Sequence, residues 1–150
     1  MKVTAIKTEK IVPDHNDIFK ILDKFLPELK EGSVLAVTSK IIAICDGRYA
    51  KISGTDKDRL IESEAQFYLP RQDNPYNVSL TITRNNLVAS SGIDESNGNG
   101  YYILWPSDPQ KTANEIRQYL KKKFGSIYEH SYEIYKKNSC YWSNRRNSGI

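Results

Sequence analysis

An α+β domain, a mixed β-sheet packed with about three helices, is the fold class this 150-residue sequence predicts. Three observations lead there. Helical periods fall at residues 17–28, at 56–68 and from residue 109 onward. Between them lie β-rich runs at 34–44, 78–83, 87–90 and 101–105, two of which are joined by a hairpin signal. The length suffices for one domain with a real core.

Residues 2–7 alternate Lys, Val, Thr, Ala, Ile, Lys and read as a first strand. Over 17–28, Ile18, Ile21, Leu22, Phe25 and Leu26 share one helical face, with Asn16 as N-cap and Asp17 in the first turn. Residues 34–44 form a long apolar run, Val34-Leu35-Ala36-Val37 and Ile41-Ile42-Ala43-Ile44, whose continuity suggests burial on both faces. Thr38-Ser39-Lys40 interrupts it, and such polar groups destabilise a buried run unless they find partners. The segment reads as two strands joined by a bend or as a strand turning into a helix, with Lys40 reaching solvent.

Residues 56–68 read as a second helix, with Leu60, Ile61, Ala65 and Tyr68 on one face. Strands then run from Val78 to Thr83 and from Leu87 to Ser90, around Arg84-Asn85-Asn86, where the Asn-Asn pair suits a two-residue hairpin turn. Tyr101 to Trp105 is a further strand. Ser107 or Asp108 caps a helix that starts at Pro109, with Ala113, Ile116, Leu120 and Phe124 on its buried face and Gly125 as its stop. Residues 126–150 are polar and tyrosine-rich without a period, so the domain is expected to span 1–125 and an irregular or poorly ordered tail 126–150.

Composition narrows the function classes. No apolar run approaches the ~20 residues that span a bilayer, and the first residues are too polar for a signal peptide. A cytoplasmic protein without a membrane partner is expected. Cys45 and Cys140 lie far apart with no metal-ligand spacing, and they read as buried or incidental thiols. The formal charge is +4, and much of the positive charge falls late in the chain. Lys121 to Lys123 suit a helix C-terminus, where cations complement the macrodipole. No aromatic-and-glycine motif accompanies them, so nucleic acid is not the expected partner.

The richest chemistry sits in Gly92-Ile93-Asp94-Glu95-Ser96-Asn97, at the end of a strand-like run and before Asn97-Gly98 and Asn99-Gly100. Several oxygen donors on one tight turn suit a hard cation, magnesium or manganese, above all when a phosphate completes the shell. A turn of this composition also serves simply as a turn.

Three segments, in order, carry a resemblance. Ser91 to Asn97 resembles the signature loop of the coenzyme F420-0:gamma-glutamyl ligase family. Gly32 to Ile42, followed by Asp46-Gly47-Arg48, is similar to that family's "DGDVLVVTSKIVSKAEGR" segment. Leu104-Trp105-Pro106-Ser107-Asp108-Pro109 resembles its "LLPxDPD" helix entry. The match covers about residues 1–125.

The resemblance implies a gamma-glutamyl ligase-like fold and a specific reaction. GTP, as co-substrate, phosphorylates a carboxylate, and the amine of L-glutamate attacks the acyl phosphate. A divalent metal, magnesium or manganese, neutralises the transferring phosphoryl group. It implies Asp94 as the metal ligand. For the nucleotide it implies Lys10, Ile11, Val12, Pro13, Ser39, Lys40 and Asn97. Glu95 suits a supporting role. The small-molecule substrate and GTP are the implied partners, and a homodimer the implied assembly.

The sequence also departs from that pattern. Ile44 stands where the family usually has a second lysine, four residues after Lys40. Lys10-Ile11-Val12-Pro13 replaces "GxPLI", and no Asp-Thr pair follows Gly125. These departures lead to the expectation of reduced or lost activity. The alternative reading is a non-catalytic nucleotide-binding or degenerate domain of the same fold.

Overall fold

The computed structural model describes residues 3–13, 16–29, 33–96 and 98–124, and the backbone of 134–135. Among the described residues four α-helices and seven short strands make a mixed α+β fold, as expected. In chain order they are α1 (Ile18–Phe25), β1 (Val37–Thr38), α2 (Ser39–Cys45), β2 (Tyr49–Lys51) and α3 (Lys57–Glu64), then β3 (Phe67–Leu69), β4 (Leu80–Thr83), β5 (Asn86–Ala89), β6 (Tyr101–Ile103), α4 (Pro109–Phe124) and β7 (Ile134–Tyr135). Among the described residues the strands form three small sheets rather than one. β1 pairs with β7 in parallel, β2 with β6 antiparallel, and β3-β4-β5 form an antiparallel meander.

The helix expected over 17–28 is shorter, because Pro27 pushes Leu26 out of the helical region, to φ −78° and ψ 118°. Asp17, not Asn16, is its N-cap, accepting a hydrogen bond from Phe19 N at 2.8 Å. Asn16 instead donates to the Val12 carbonyl at 2.6 Å. Residues 3–7 form no strand and are largely exposed. Alternation gave them a pattern, but among the described residues no strand pairs with them.

The run at 34–44 is mostly helical. Only Val37–Thr38 is extended, and α2 starts at Ser39. Three isoleucines within α2 oppose their intrinsic preference, and packing overrides it. Ile42 enters a core with Ile18 and Leu22 of α1, Leu35, and Ile116 and Leu120 of α4. Ala43 and Ile44 enter a second core with Ile103, walled by Ile11, Tyr49 and Tyr101. The apolar continuity therefore does reflect burial on two sides, but of a helix. Gly47, with φ +69°, ends it, and Arg48 N returns to the Ala43 carbonyl at 2.8 Å.

The second predicted helix is also cut short. Asp56 caps it, accepting from Asp58 N and Arg59 N at 2.9 and 3.2 Å. Ile61 is its buried residue, at 1% exposure. After Glu64 the chain extends, Gln66 N bonds to the Ile82 carbonyl at 2.7 Å, and Phe67–Leu69 joins the meander. Ala65 and Tyr68 therefore lie beyond the helix.

The hairpin turn is Arg84-Asn85, one position earlier than the Asn-Asn pair, with φ +51° and +60° at its two residues. The strand expected to reach Trp105 ends at Ile103. The last helix matches its expected span. Asp108 caps it, accepting from Lys111 N at 2.9 Å, and Ala113, Ile116 and Leu120 are buried. Of the tail, Ile134–Tyr135 pairs with β1, and the other residues of 126–150 lie outside the described residues, as does Gly125. No described helix is long and apolar enough to cross a membrane.

Candidate active site

The acidic turn is held in place by buried polar groups. After β5 the chain makes a 3-10 turn, Ser90–Gly92, in which all three residues have positive φ, +52°, +50° and +67°. Two serines in that region are strained, and hydrogen bonds fix them there. Ser91 N donates to Thr81 Oγ1 at 2.9 Å, and Ser91 Oγ donates to the Ile61 carbonyl at 2.7 Å. Thr81 Oγ1 in turn donates to the Val88 carbonyl at 2.6 Å. Ser91 and Thr81 are 2% and 1% exposed, so these bonds form away from water, where an unmade one is costly.

From this anchor the chain runs to Asp94, whose backbone pairs with Ile103 through two bonds of 2.9 and 2.8 Å. Asp94 Oδ2 meets Lys40 Nζ at 2.7 Å. Its Oδ1 accepts from Ser96 N and Ser96 Oγ at 2.9 and 2.8 Å. Partial burial pushes the Asp94 carboxyl upward. The Lys40 ammonium and the two Ser96 donors outweigh it, and the net result is a lowered pKa. Ile44 is one helical turn beyond Lys40, and it is buried against Ile103. The position of the family's second lysine is thus part of an apolar floor.

Two more lysines reach the same turn. Lys57, the first residue of α3, lies 2.5 Å from Glu95 Oε2 and sits over the Tyr102 ring. Lys10 Nζ donates to Asn99 Oδ1 at 3.2 Å. Gly98 allows the turn to close. A Cβ there would lie 1.8 Å from the Tyr101 carbonyl oxygen.

Of the sequence-predicted residues, Lys40 and Asp94 are brought into contact and Lys10 reaches the same turn. Ser39 is buried at the start of α2. Ile11 packs beside Ile44 and Ile103, and Val12 and Pro13 are half-buried. Asn97 lies outside the described residues. Sequence reasoning missed Lys57, Asn99 and the Thr81–Ser91 anchor. Lys57 is 38 positions from Glu95, and no local pattern marks it. Cys45 is half-buried, and burial, followed by the Asp46 and Asp17 carboxylates, pushes its thiol up to about 11. It is a poor nucleophile at neutral pH.

Among the described residues no group of three or more His, Cys, Asp or Glu side chains could hold a metal ion. One carboxylate and one hydroxyl do not make a self-sufficient cage. They fit magnesium or manganese in the mode in which a single carboxylate and the phosphates of a bound nucleotide share the ion.

A strained serine turn, an acidic loop bonded to a strand, and a lysine from the start of a helix together form one polar site on a mixed α+β domain. The family model described as F420-0:Gamma-glutamyl ligase matches residues 5–129, and the chain belongs to that family. A curated relative, the coenzyme F420:L-glutamate ligase of Methanopyrus kandleri, is 24% identical over 141 residues, covering 83% of this chain and 56% of the relative. The chain thus spans just over half the length of that relative.

Proposed function

We propose that this protein carries out a gamma-glutamyl ligase reaction, the GTP- and divalent-metal-dependent amide ligation of L-glutamate to a carboxylate substrate, in the cytoplasm and as a homodimer. The observation that supports it most is the Lys40–Asp94 contact, which joins two family segments 54 positions apart into one polar site. Asp94 would hold the magnesium or manganese ion, which when bound neutralises charge on the transferring phosphoryl group. Lys40, released from Asp94 by the incoming cation, would turn to a phosphate oxygen. Ser39, Asn97 and the segment from Lys10 through Ile11 and Val12 to Pro13 would line the nucleotide. The substrate carboxylate attacks the γ-phosphorus, GDP leaves, and the glutamate amine displaces phosphate from the acyl carbon, with loss of a proton.

A specific observation supports a second reading. With Ile44 buried and Asp94 already neutralised by Lys40, the chain could be a non-catalytic, nucleotide-binding or degenerate domain. Calorimetric titration of GTP with manganese distinguishes them, using the protein and its Asp94→Ala variant. Metal-dependent binding that the variant loses is the expected result. Metal-independent GTP binding, equal in both proteins, would favour the second reading, and no binding by a folded protein would sink the first for this chain.

A further inference from the structure

Helix α3 holds the acidic turn at two points, and the spacings on the two sides match. Lys57 and Ile61 are one helical turn apart and fall on one face of α3. The Ile61 carbonyl accepts from Ser91 Oγ at 2.7 Å, and Lys57 Nζ donates to Glu95 Oε2 at 2.5 Å. Asp94 lies between these two anchored residues. Helix formation does not account for Lys57, because a cation in the first turn opposes the macrodipole. The acids on either side of it are engaged elsewhere. Asp56 caps the helix, and Asp58 pairs with Arg71. Lys57 instead sits 5.6 Å over the ring of Tyr102, which is 6% exposed. That buried ring fixes where the ammonium lies.

We infer that Lys57 is a positioning residue for Asp94. The antiparallel bridge between Asp94 and Ile103 sets Glu95 across from Tyr102, and successive side chains of an extended chain point to opposite faces. Lys57 keeps Glu95 on the Tyr102 face. Asp94 points to the other face, where Lys40 meets it at 2.7 Å. Two lysines thus assign two neighbouring carboxylates to different faces, and Asp94 is the one presented to a metal and its phosphates. The bridge at Asp94 is isolated and rests on two backbone bonds. Its persistence depends on the anchors flanking it, Ser91 on the Ile61 carbonyl and Glu95 on Lys57. Groups that orient a metal ligand without touching the metal typically change metal affinity by about 10–100-fold. The link to a metal rests on the ligase function proposed above, whereas the hold on Asp94 does not.

Amide hydrogen exchange of the metal-free full chain, followed by NMR, tests that hold. In Lys57→Met and in Glu95→Gln the amides of Asp94 and Ile103 should exchange about tenfold faster, while those of Ile116 and Leu120 keep the parent's rates. Lys57→Arg should restore the parent's pattern. Glu95→Gln preserves side-chain size, so it carries the test if Lys57→Met does not fold. Calorimetric titration with manganese and GTP is the second arm. Affinity should fall about tenfold in Lys57→Met and Glu95→Gln and return in Lys57→Arg. Unchanged exchange at Asp94 and Ile103 would overturn the proposal. Faster exchange at every amide would overturn it too, by making Lys57 a contributor to general stability. Faster local exchange with the parent's manganese–GTP affinity would overturn the role toward the metal. A parent protein that binds no manganese–GTP would sink the ligase function, and the exchange rates would still decide whether Lys57 holds Asp94.

Discussion

Asp94 shows how one side chain can hold two opposing influences. Burial raises its pKa, while Lys40 and Ser96 lower it and prevail. Because the folded value lies below the unfolded one, the ion pair contributes stability above the ordinary carboxylate pKa of about 3.9. That contribution disappears as pH falls through the lowered value. Replacing Lys40 with methionine removes the largest of the lowering influences. The Asp94 midpoint, followed by carboxyl carbon NMR, should then rise, and an unchanged midpoint would mean that Ser96 alone sets it. The participants of this site were partly legible in the sequence. Asp94 and Lys40 belong to recognisable segments, while Lys10 falls where the sequence departs from the family pattern. Lys57 and Asn99 are not, because nothing near them in the chain indicates what they approach.

At the scale of elements, the meander supports the acidic turn from beneath. Thr81 looks out of place as a buried residue between two leucine-like neighbours, yet its hydroxyl both accepts from Ser91 N and donates to the Val88 carbonyl. Thr81→Val keeps the shape but takes the hydroxyl partner away from the buried Ser91 N and removes one of the bonds to the Val88 carbonyl. Urea denaturation should show a loss of about 1–3 kcal/mol, whereas Thr81→Ser should lose much less. The same elements show why helix boundaries were misread. The period of 56–68 is helical, but β4 offers Phe67–Leu69 a set of backbone partners, and pairing wins. In α2 the reverse holds, since a β-rich composition becomes helical once two cores need its opposite sides.

For the whole molecule, α2 is the element on which both cores depend. Leu120, fully buried in the larger core with Ile42, Ile116 and Leu35, has no exposed atoms to soften its loss. Leu120→Ala should destabilise the protein by about 2–5 kcal/mol in chemical denaturation. That is a large share of the stability of a domain this size. If the smaller core of Ala43, Ile44 and Ile103 is a separate cooperative unit, the variant would unfold in two steps, and a single transition would show that α2 couples them.

The sequence by itself determined the α+β class, the last helix with its cap and buried face, the hairpin near residue 84 and the family, because these rest on local periods and contiguous motifs. Tertiary structure alone decided the rest. It made the 39–45 segment a helix, turned Phe67–Leu69 into a strand, and left an apolar sheet face outward with its threonines within. It also brought Lys10, Lys40 and Lys57 to one acidic turn. Each of these outcomes depends on which distant groups supply hydrogen bonds, charge or apolar contact, and no local window of sequence contains that information.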